Sequence, residues 1–167
     1  LGNGYAINAV LGKEKIMNNI YNTFISSTFW TEASGYSAAL KTLELMEKKK
    51  SWIYVTKLGK YIQKMWKLLA KKNQITLVIK GIPALSSFSF KKDNQLYKTY
   101  ITQEMLKKNI LATNSIYVST SHSKKDLQKY FKILDSTFST IRKCQKGDDI
   151  FRYLNSKISL SDFKRLN

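Results

Sequence analysis

Few side chains in this chain belong to the types that catalyse reactions or bind metal ions. His122 is the single histidine and Cys144 the single cysteine, so the ligands for a zinc site are lacking. A hydrolase would place His122 beside a nucleophile, but no nucleophile-elbow motif is present. We expect His122 to be structural, and Asp148 and Asp149 to form a solvated acidic turn. Glu32, which lies among aromatic residues, is the carboxylate to examine for a raised pKa.

The chain is strongly basic. Its 167 residues include 29 lysines and arginines against 11 aspartates and glutamates, which gives a net charge of +18. Such a charge favours nucleic acid or an anionic surface as partner. Arginine, which binds guanine and stacks on bases, is confined to Arg142, Arg152 and Arg165, and lysine attracts phosphate without sequence preference. We therefore interpret the lysines as a solvated surface and expect no nucleic-acid partner, with a basic binding module as the alternative function.

Composition also limits the class of protein and its compartment. Hydrophobic residues make up 43% of the chain, which is ordinary for a globular protein. No apolar stretch approaches the ~20 residues that span a bilayer. A single cysteine excludes an intrachain disulfide. We expect a cytoplasmic protein with no membrane partner.

Hydrophobic spacing in the first half predicts one strand followed by helices. The apolar run at residues 6–11 has the length of a buried strand. A short helix is predicted at 13–22, a loop that closely approaches another group at 24–31, and a long helix with apolar residues at three- and four-residue steps at 36–46. Residues 52–69 predict a second long helix, whose apolar stripe we expect to pack on a sheet and whose other positions are rich in lysine.

The second half alternates short strands with helices. Apolar residues recur at two-residue steps in 75–79 and in 85–90, and these two runs are predicted to pair as antiparallel strands. Thr102 is a good helix N-cap, and Ser123 with Asp126 resembles the capping box at the start of a last long helix. The predicted elements are strands at 75–79, 85–90, 110–112 and 116–118, and helices at 102–108 and after Ser123.

Three segments resemble class III pyridoxal-phosphate (PLP) aminotransferases, in particular enzymes like glutamate-1-semialdehyde 2,1-aminomutase. The first, residues 1–10, is Leu-Gly-Asn-Gly-Tyr-Ala-Ile-Asn-Ala-Val, and it is similar to the turn and strand that follow the Schiff-base lysine. The resemblance places that lysine just before Leu1. It therefore implies that this chain lacks the catalytic lysine and cannot transaminate alone.

The second segment, Ser-Ser-Thr-Phe-Trp at residues 26–30, precedes a predicted helix. It is similar to the segment of class III enzymes in which a threonine reaches across the dimer interface to the partner subunit's cofactor phosphate. The resemblance assigns cofactor binding to Thr28 and Ser27, and it implies PLP and a homodimer for the intact enzyme. A hydroxyl with nearby backbone N–H groups suits a phosphate dianion.

The third segment, residues 117–127, is similar to the family's C-terminal strand, histidine-containing turn and last long helix. There are two departures from the family pattern. Residues 30–34 replace the usual Gly-Asn-Pro turn, and residues 112–115 are a short segment without the glutamate that helps to position substrate in the aminomutase. The resemblance thus favours an aminotransferase that acts on another amine or keto substrate, such as an amino sugar, over a mutase.

Together these features predict an α/β fold with an α+β small domain, the C-terminal part of a fold-type-I PLP-dependent transferase. Residues 1–45 are assigned to the end of the large PLP-binding domain and the start of a connecting helix. Residues 46–167 are assigned to connecting helices and the small domain. We expect the small domain, from roughly residue 73 onward, to fold better than the first ~45 residues, because an unpaired apolar strand promotes aggregation. A non-catalytic homologue that pairs with a complete subunit is a further alternative.

Overall fold

The computed structural model describes residues 1–25 and 28–160. The described chain divides into two units, Leu1–Ser51 and Trp52–Asn167. The regular elements are α1 (Glu14–Met17), a 3₁₀-helix (Asn18–Asn22), α2 (Ala33–Lys49), α3 (Ser51–Lys72), β1 (Leu77–Ile82), β2 (Leu85–Phe90), α4 (Asn94–Leu106), β3 (Ser115–Tyr117), α5 (Lys124–Gln145) and a 3₁₀-helix (Ile150–Arg152). None of the helices in the described ranges is long and apolar enough to cross a membrane.

The first unit buries few of its side chains. Among its described residues, Gly2, Gly35 and Ala39 are the buried ones. Gly35 lies in the first turn of α2, where an added Cβ would stand 2.9 Å from the backbone oxygen of Ala6. The absence of a side chain at Gly35 therefore lets the N-terminal segment pass directly over the start of the helix.

The strand predicted at residues 6–11 is not present, so that prediction was wrong. These residues have no regular secondary structure, and Val10 and Leu11 are 62% and 89% exposed. A strand is held by hydrogen bonds to a neighbouring strand. The described residues of the first unit form no other strand with which this segment could pair.

Helix α3 has the apolar stripe that its sequence predicts. Ile62, Trp66 and Leu69 are buried and lie three or four residues apart, which places them on one face of the helix. The indole of Trp66 makes an edge contact with the ring of Phe88 on β2, with the ring centroids 4.9 Å apart. The stripe therefore packs against the sheet, as predicted.

Strands β1, β2 and β3 form an antiparallel sheet in that order. The predicted pairing of the first two strands is confirmed, since β1 pairs with β2 along its whole length. Phe88 on β2 also contacts Phe138 of α5 edge-on, with the ring centroids 5.8 Å apart. The core of the second unit thus lies between the sheet and helices α3 and α5, and it includes Ile101 and Met105 of α4.

Helix α4 is longer than predicted and begins earlier. Thr102 does not cap it but lies inside it, where its hydroxyl donates a hydrogen bond to the Lys98 carbonyl at 3.0 Å. The helix starts after Asp93, which adopts a left-handed backbone with φ of 54°. Residues 110–112 form no strand, because the N–H of Ile110 bonds instead to the carbonyl of Met105 at the end of α4.

Helix α5 begins at the predicted capping box. The Ser123 hydroxyl oxygen accepts a hydrogen bond from the Asp126 N–H at 3.1 Å, and the Ser123 N–H donates to the Asp126 carboxylate at 3.3 Å. Six apolar and aromatic side chains of α5 are buried in the core. They are Leu127, Tyr130, Phe131, Leu134, Phe138 and Ile141.

Candidate functional site

The segment that precedes α2 is open to solvent. Thr28 is exposed, and the neighbouring apolar side chains of Phe24 and Trp30 are 92% and 62% exposed. Ser27, the other residue predicted to contact cofactor, lies outside the described residues. Contiguous apolar patches on a surface mark places where another molecule packs, whereas apolar side chains exposed singly are normal. That this segment approaches another group closely stays a prediction.

Hydrogen bonds attach this segment to the start of α2. The Tyr36 hydroxyl donates to the carbonyl of Trp30 at 3.2 Å, and the N–H of Glu32 donates to the carbonyl of Phe29 at 3.5 Å. The exposed carboxylate of Glu32 accepts a hydrogen bond from the Ser34 hydroxyl. Glu32 therefore stabilises the turn into the helix.

The first segment that resembles the aminotransferases packs on the start of α2, the helix that follows the second such segment. An added Cβ at Gly35 would lie 2.9 Å from the Ala6 oxygen and 3.4 Å from the Cβ of Ile7. The N-terminal decapeptide thus packs on the same helix turn that the Thr28 segment enters. This contact depends on the absence of a side chain at Gly35, so the spacing of hydrophobic residues does not predict it.

Thr28 can offer a phosphate one hydroxyl donor. Its exposure leaves the hydroxyl accessible, and a neutral donor binds phosphate without a charged partner. The described residues around it are exposed as well and form no enclosure, since Phe29 and Trp30 are 51% and 62% exposed. The hydroxyl is therefore open to solvent, and its contact with a phosphate stays a prediction.

His122 has the structural role expected from the sequence. Its Nδ1 accepts a hydrogen bond from the Ser119 N–H at 3.1 Å, and its carbonyl accepts one from the Tyr54 hydroxyl at 3.5 Å. The Ser119 hydroxyl is engaged by the N–H of Ser121 at 3.1 Å. The imidazole therefore stabilises the turn before α5, and its hydrogen bond with the Ser119 N–H does not activate a serine hydroxyl.

Cys144 lacks the surroundings of a reactive thiol. Burial raises the pKa of its thiol, and the charges of Asp148 and Asp149 raise it further. A thiol with a raised pKa is protonated and weakly nucleophilic at neutral pH. Cys144 also lies in the last turn of α5, whereas His122 precedes the first turn, which separates them by roughly 30 Å at 1.5 Å per residue. A cysteine–histidine pair is thereby excluded.

Asp148 and Asp149 form the turn that the sequence predicts. Asp148 accepts hydrogen bonds from the Tyr153 hydroxyl at 2.6 Å and from the Asp149 N–H at 2.9 Å, and Asp149 caps the following 3₁₀-helix through the Phe151 N–H at 3.0 Å. The bond from Tyr153 is the main cause that lowers the pKa of Asp148. Within residues 1–25 and 28–160, no cluster of three or more histidine, cysteine or acidic residues could hold a metal ion.

The third segment that resembles the aminotransferases lines a cavity of about 540 Å³ in the second unit. Its walls include Ala112 and Ile116 on one side and His122 and Tyr130 on the other. The short stretch at 112–115, where the sequence departs from the family, therefore shapes this cavity. The sequence alone did not reveal it, because the cavity depends on how β3 and α5 pack.

Comparisons with known proteins show what the chain resembles. No protein-family model matches it. The curated 3-aminobutyryl-CoA aminotransferase of Cloacimonas acidaminovorans (strain Evry) is 27% identical in an alignment of 150 residues that covers 86% of this chain and 36% of that protein. The solved PLP internal aldimine form of the Sphingopyxis sp. MTA144 FumI protein has a similar fold, with a TM-score of 0.71 and 19% identity over 87% of this chain and 36% of that one.

These comparisons confirm the resemblance to PLP-dependent aminotransferases and the predicted mixed α/β fold. The chain spans little more than a third of the length of either relative, 36% in both cases. That coverage is consistent with the C-terminal part of such an enzyme. The assignment of Thr28 and Ser27 to cofactor binding stays a prediction.

Proposed function

We propose that this chain is the C-terminal part of a PLP-dependent aminotransferase. The observation that supports it most is the 27% identity over 150 residues with an aminotransferase. The proposed reaction transfers an amino group between an amine, an amino acid or an amino sugar and a keto or aldehyde substrate. The fold similarity to a PLP-bound protein supports PLP as the cofactor.

In this proposal the exposed segment before α2 serves a cofactor bound by a second subunit of a homodimer. The Thr28 hydroxyl donates a hydrogen bond to a phosphate oxygen. The exposed aromatic rings of Phe29 and Trp30 become buried in the same contact and exclude water from that hydrogen bond. When bound, PLP supplies the electron sink that amino-group transfer requires.

The proposal assigns no cofactor-linked lysine to this chain, because the resemblance places that lysine before Leu1. We expect the purified chain, treated with PLP and then borohydride, to give only scattered substoichiometric lysine modification by peptide mass spectrometry. A stoichiometric adduct at one lysine would contradict the proposal.

The genomic sequence immediately upstream of the Leu1 codon provides an independent test. An in-frame lysine codon a few codons upstream supports a larger enzyme of which this chain is a part. A start codon at that place contradicts it and favours a chain that acts without a lysine of its own.

A further inference from the structure

An open groove of about 510 Å³ runs between helix α3 and strand β1 in the second unit. The helix side of the groove includes Gln63, Lys67 and Lys71, and the strand side includes Leu77 and Ile79. Cationic and amide groups therefore face apolar side chains across the same space. Neither the predicted chemistry nor the proposed function uses this groove.

Within the described part of the chain, β1 is an edge strand. It pairs with β2 on one side, and no described strand pairs with its other side. Leu77 and Ile79 are half-buried, whereas the residues directly opposite on β2, Phe90 and Phe88, are 5% and 1% exposed. The core face of the sheet is thus incompletely covered along β1, where unpaired backbone N–H and C=O groups are available to another strand.

The helix side of the groove has an unneutralised positive charge. Helix α3 contains no aspartate or glutamate. Four of its exposed lysines recur at steps of four and three residues, which places them along one face of the helix, and none has an ion pair among the described residues. They are Lys60, Lys64, Lys67 and Lys71. A row of free ammonium groups attracts and orients an acidic partner.

The spacing of the lysines matches that of side chains on a strand. Lys67 and Lys71 are four residues apart on a helix, which is about 6 Å along its axis. Side chains on the same face of a strand repeat every two residues, which is roughly 6.6 Å. Acidic side chains at alternate positions of an added strand that runs along α3 therefore have the spacing to pair with both lysines.

We propose that this groove binds an extended acidic segment of another protein, which adds as a further strand to β1 and places alternate carboxylates against Lys67 and Lys71. Backbone hydrogen bonds to the edge of β1 supply affinity in this mode of recognition, and the alternate side chains supply specificity. The acidic side chains then lie on the same face of the sheet as Leu77 and Ile79, and their methylene groups pack against them. The inference does not depend on aminotransferase activity.

A short peptide of alternating glutamate and valine, added to the full 167-residue chain, tests the proposal. We expect binding by isothermal titration calorimetry and new protection of β1 amides from hydrogen exchange. The double variant Lys67→Glu with Lys71→Glu should weaken binding by about tenfold or more, because it reverses both charges that face the peptide. The charge-matched control, Lys124→Glu with Lys125→Glu at the start of α5, should bind like the unmodified chain.

Two control peptides separate strand pairing from simple charge attraction. A lysine–valine peptide should not bind, and a glutamate–valine peptide with N-methylated backbone nitrogens should lose binding because it cannot pair with β1. Equal binding of the N-methylated peptide, exchange protection away from β1, or unchanged affinity of the double variant each overturns the proposal. Self-association of the chain through β1 without peptide also overturns it, because a second copy is then the occupant.

Discussion

Thr28 has the most specific role proposed for any side chain of this protein. In the complete enzyme of the proposal, Thr28→Ala removes one neutral hydrogen bond to the cofactor phosphate. Such a bond contributes about 0.5–1.5 kcal/mol, so we expect PLP affinity to fall by up to about tenfold. Fluorescence titration of the cofactor-free enzyme with PLP measures the change.

Thr23 offers a matched control for that experiment. Its hydroxyl is exposed in the same stretch of chain but bonds locally to the carbonyl of Ile20 at 3.0 Å. Thr23→Ala should therefore leave PLP affinity unchanged, and Thr28→Ser should restore it because the hydroxyl is kept. Equal losses in Thr28→Ala and Thr23→Ala would show that the segment acts through its conformation.

The hydrogen bond between Trp66 and Tyr130 is buried in the core of the second unit. The indole N–H of Trp66 donates to the Tyr130 hydroxyl at 3.0 Å, and the side chains are 0% and 7% exposed. Tyr130→Phe leaves the indole N–H without its acceptor, which should cost about 1–3 kcal/mol in the free energy of unfolding. Urea denaturation measures this cost, and Tyr117→Phe, at a 76% exposed position, should cost far less. Equal effects of the two variants would refute the prediction.

The capping box of α5 should make stability depend on pH. The hydrogen bonds from the Ser123 side chain and backbone lower the pKa of Asp126. Because this pKa is lower in the folded than in the unfolded chain, the stabilisation is fully present above the ordinary carboxyl pKa. It is lost as the pH falls through the lowered value.

Ser123→Ala removes the largest cause of that shift. We expect the thermal unfolding temperature of the variant to change less than that of the unmodified chain between neutral and acidic pH. Circular dichroism melts across that range measure both curves. Parallel curves would mean that this carboxylate does not contribute to the acid sensitivity.

The close approach of α3 to the β1–β2 hairpin depends on Gly59. An added Cβ there would lie 1.9 Å from the Pro83 carbonyl oxygen, which is far inside van der Waals contact. Helix propensity alone predicts that Gly59→Ala stabilises by about 1 kcal/mol. We instead expect destabilisation by about 1–3 kcal/mol, because helix and hairpin must separate. Chemical denaturation measures whether Gly59→Ala raises or lowers the free energy of unfolding. As a control, Gln128→Ala at an exposed helix position should change that free energy by less than about 0.5 kcal/mol.

The sequence predicted elements best where one physical pattern dominates. The stripe of α3 and the capping box at Ser123 follow from local spacing, and both are confirmed. The start of α4 was missed because aspartate followed by asparagine is typical of a turn. In the structure, Asp93 and Asn94 lead directly into the helix. The buried tyrosines of α4, Tyr97 and Tyr100, also weakened the apolar pattern that would have revealed its first turns.

The candidate site was harder to predict than the elements. Thr28 came from resemblance, because an exposed threonine has no distinguishing local pattern. The contact between Gly35 and Ala6 and the groove along β1 depend on backbone approach in three dimensions. The spacing of residue types along the sequence does not reveal such contacts.

The two units should differ in stability. In the first unit, Ala39 is the one buried hydrophobic residue among those described, whereas the second has an aromatic and aliphatic core around Trp66, Phe88 and Phe138. Burial of apolar surface is the main source of folding stability. We expect amides of Leu1–Ser51 to exchange quickly and core amides of Trp52–Asn167 to exchange slowly. Uniform protection measured by hydrogen-exchange mass spectrometry would contradict this expectation.

In the proposed larger enzyme, the exposed apolar side chains of the first unit become buried. Leu40 on α2 is 71% exposed, and Phe24 before it is 92% exposed. A unit that buries so little alone gains most of its stability from what covers it. Binding of a covering segment should therefore slow exchange in the first unit far more than in the second.

The complete burial of Trp66 gives the protein an internal fluorescence reporter. Trp66 is 0% exposed, whereas Trp30 and Trp52 are 62% and 46% exposed. A collisional quencher in the solvent reaches the two exposed indoles and spares the third while the core is intact. Quencher-resistant emission therefore follows the folding of the second unit alone, even in a mixture where the first unit has already unfolded.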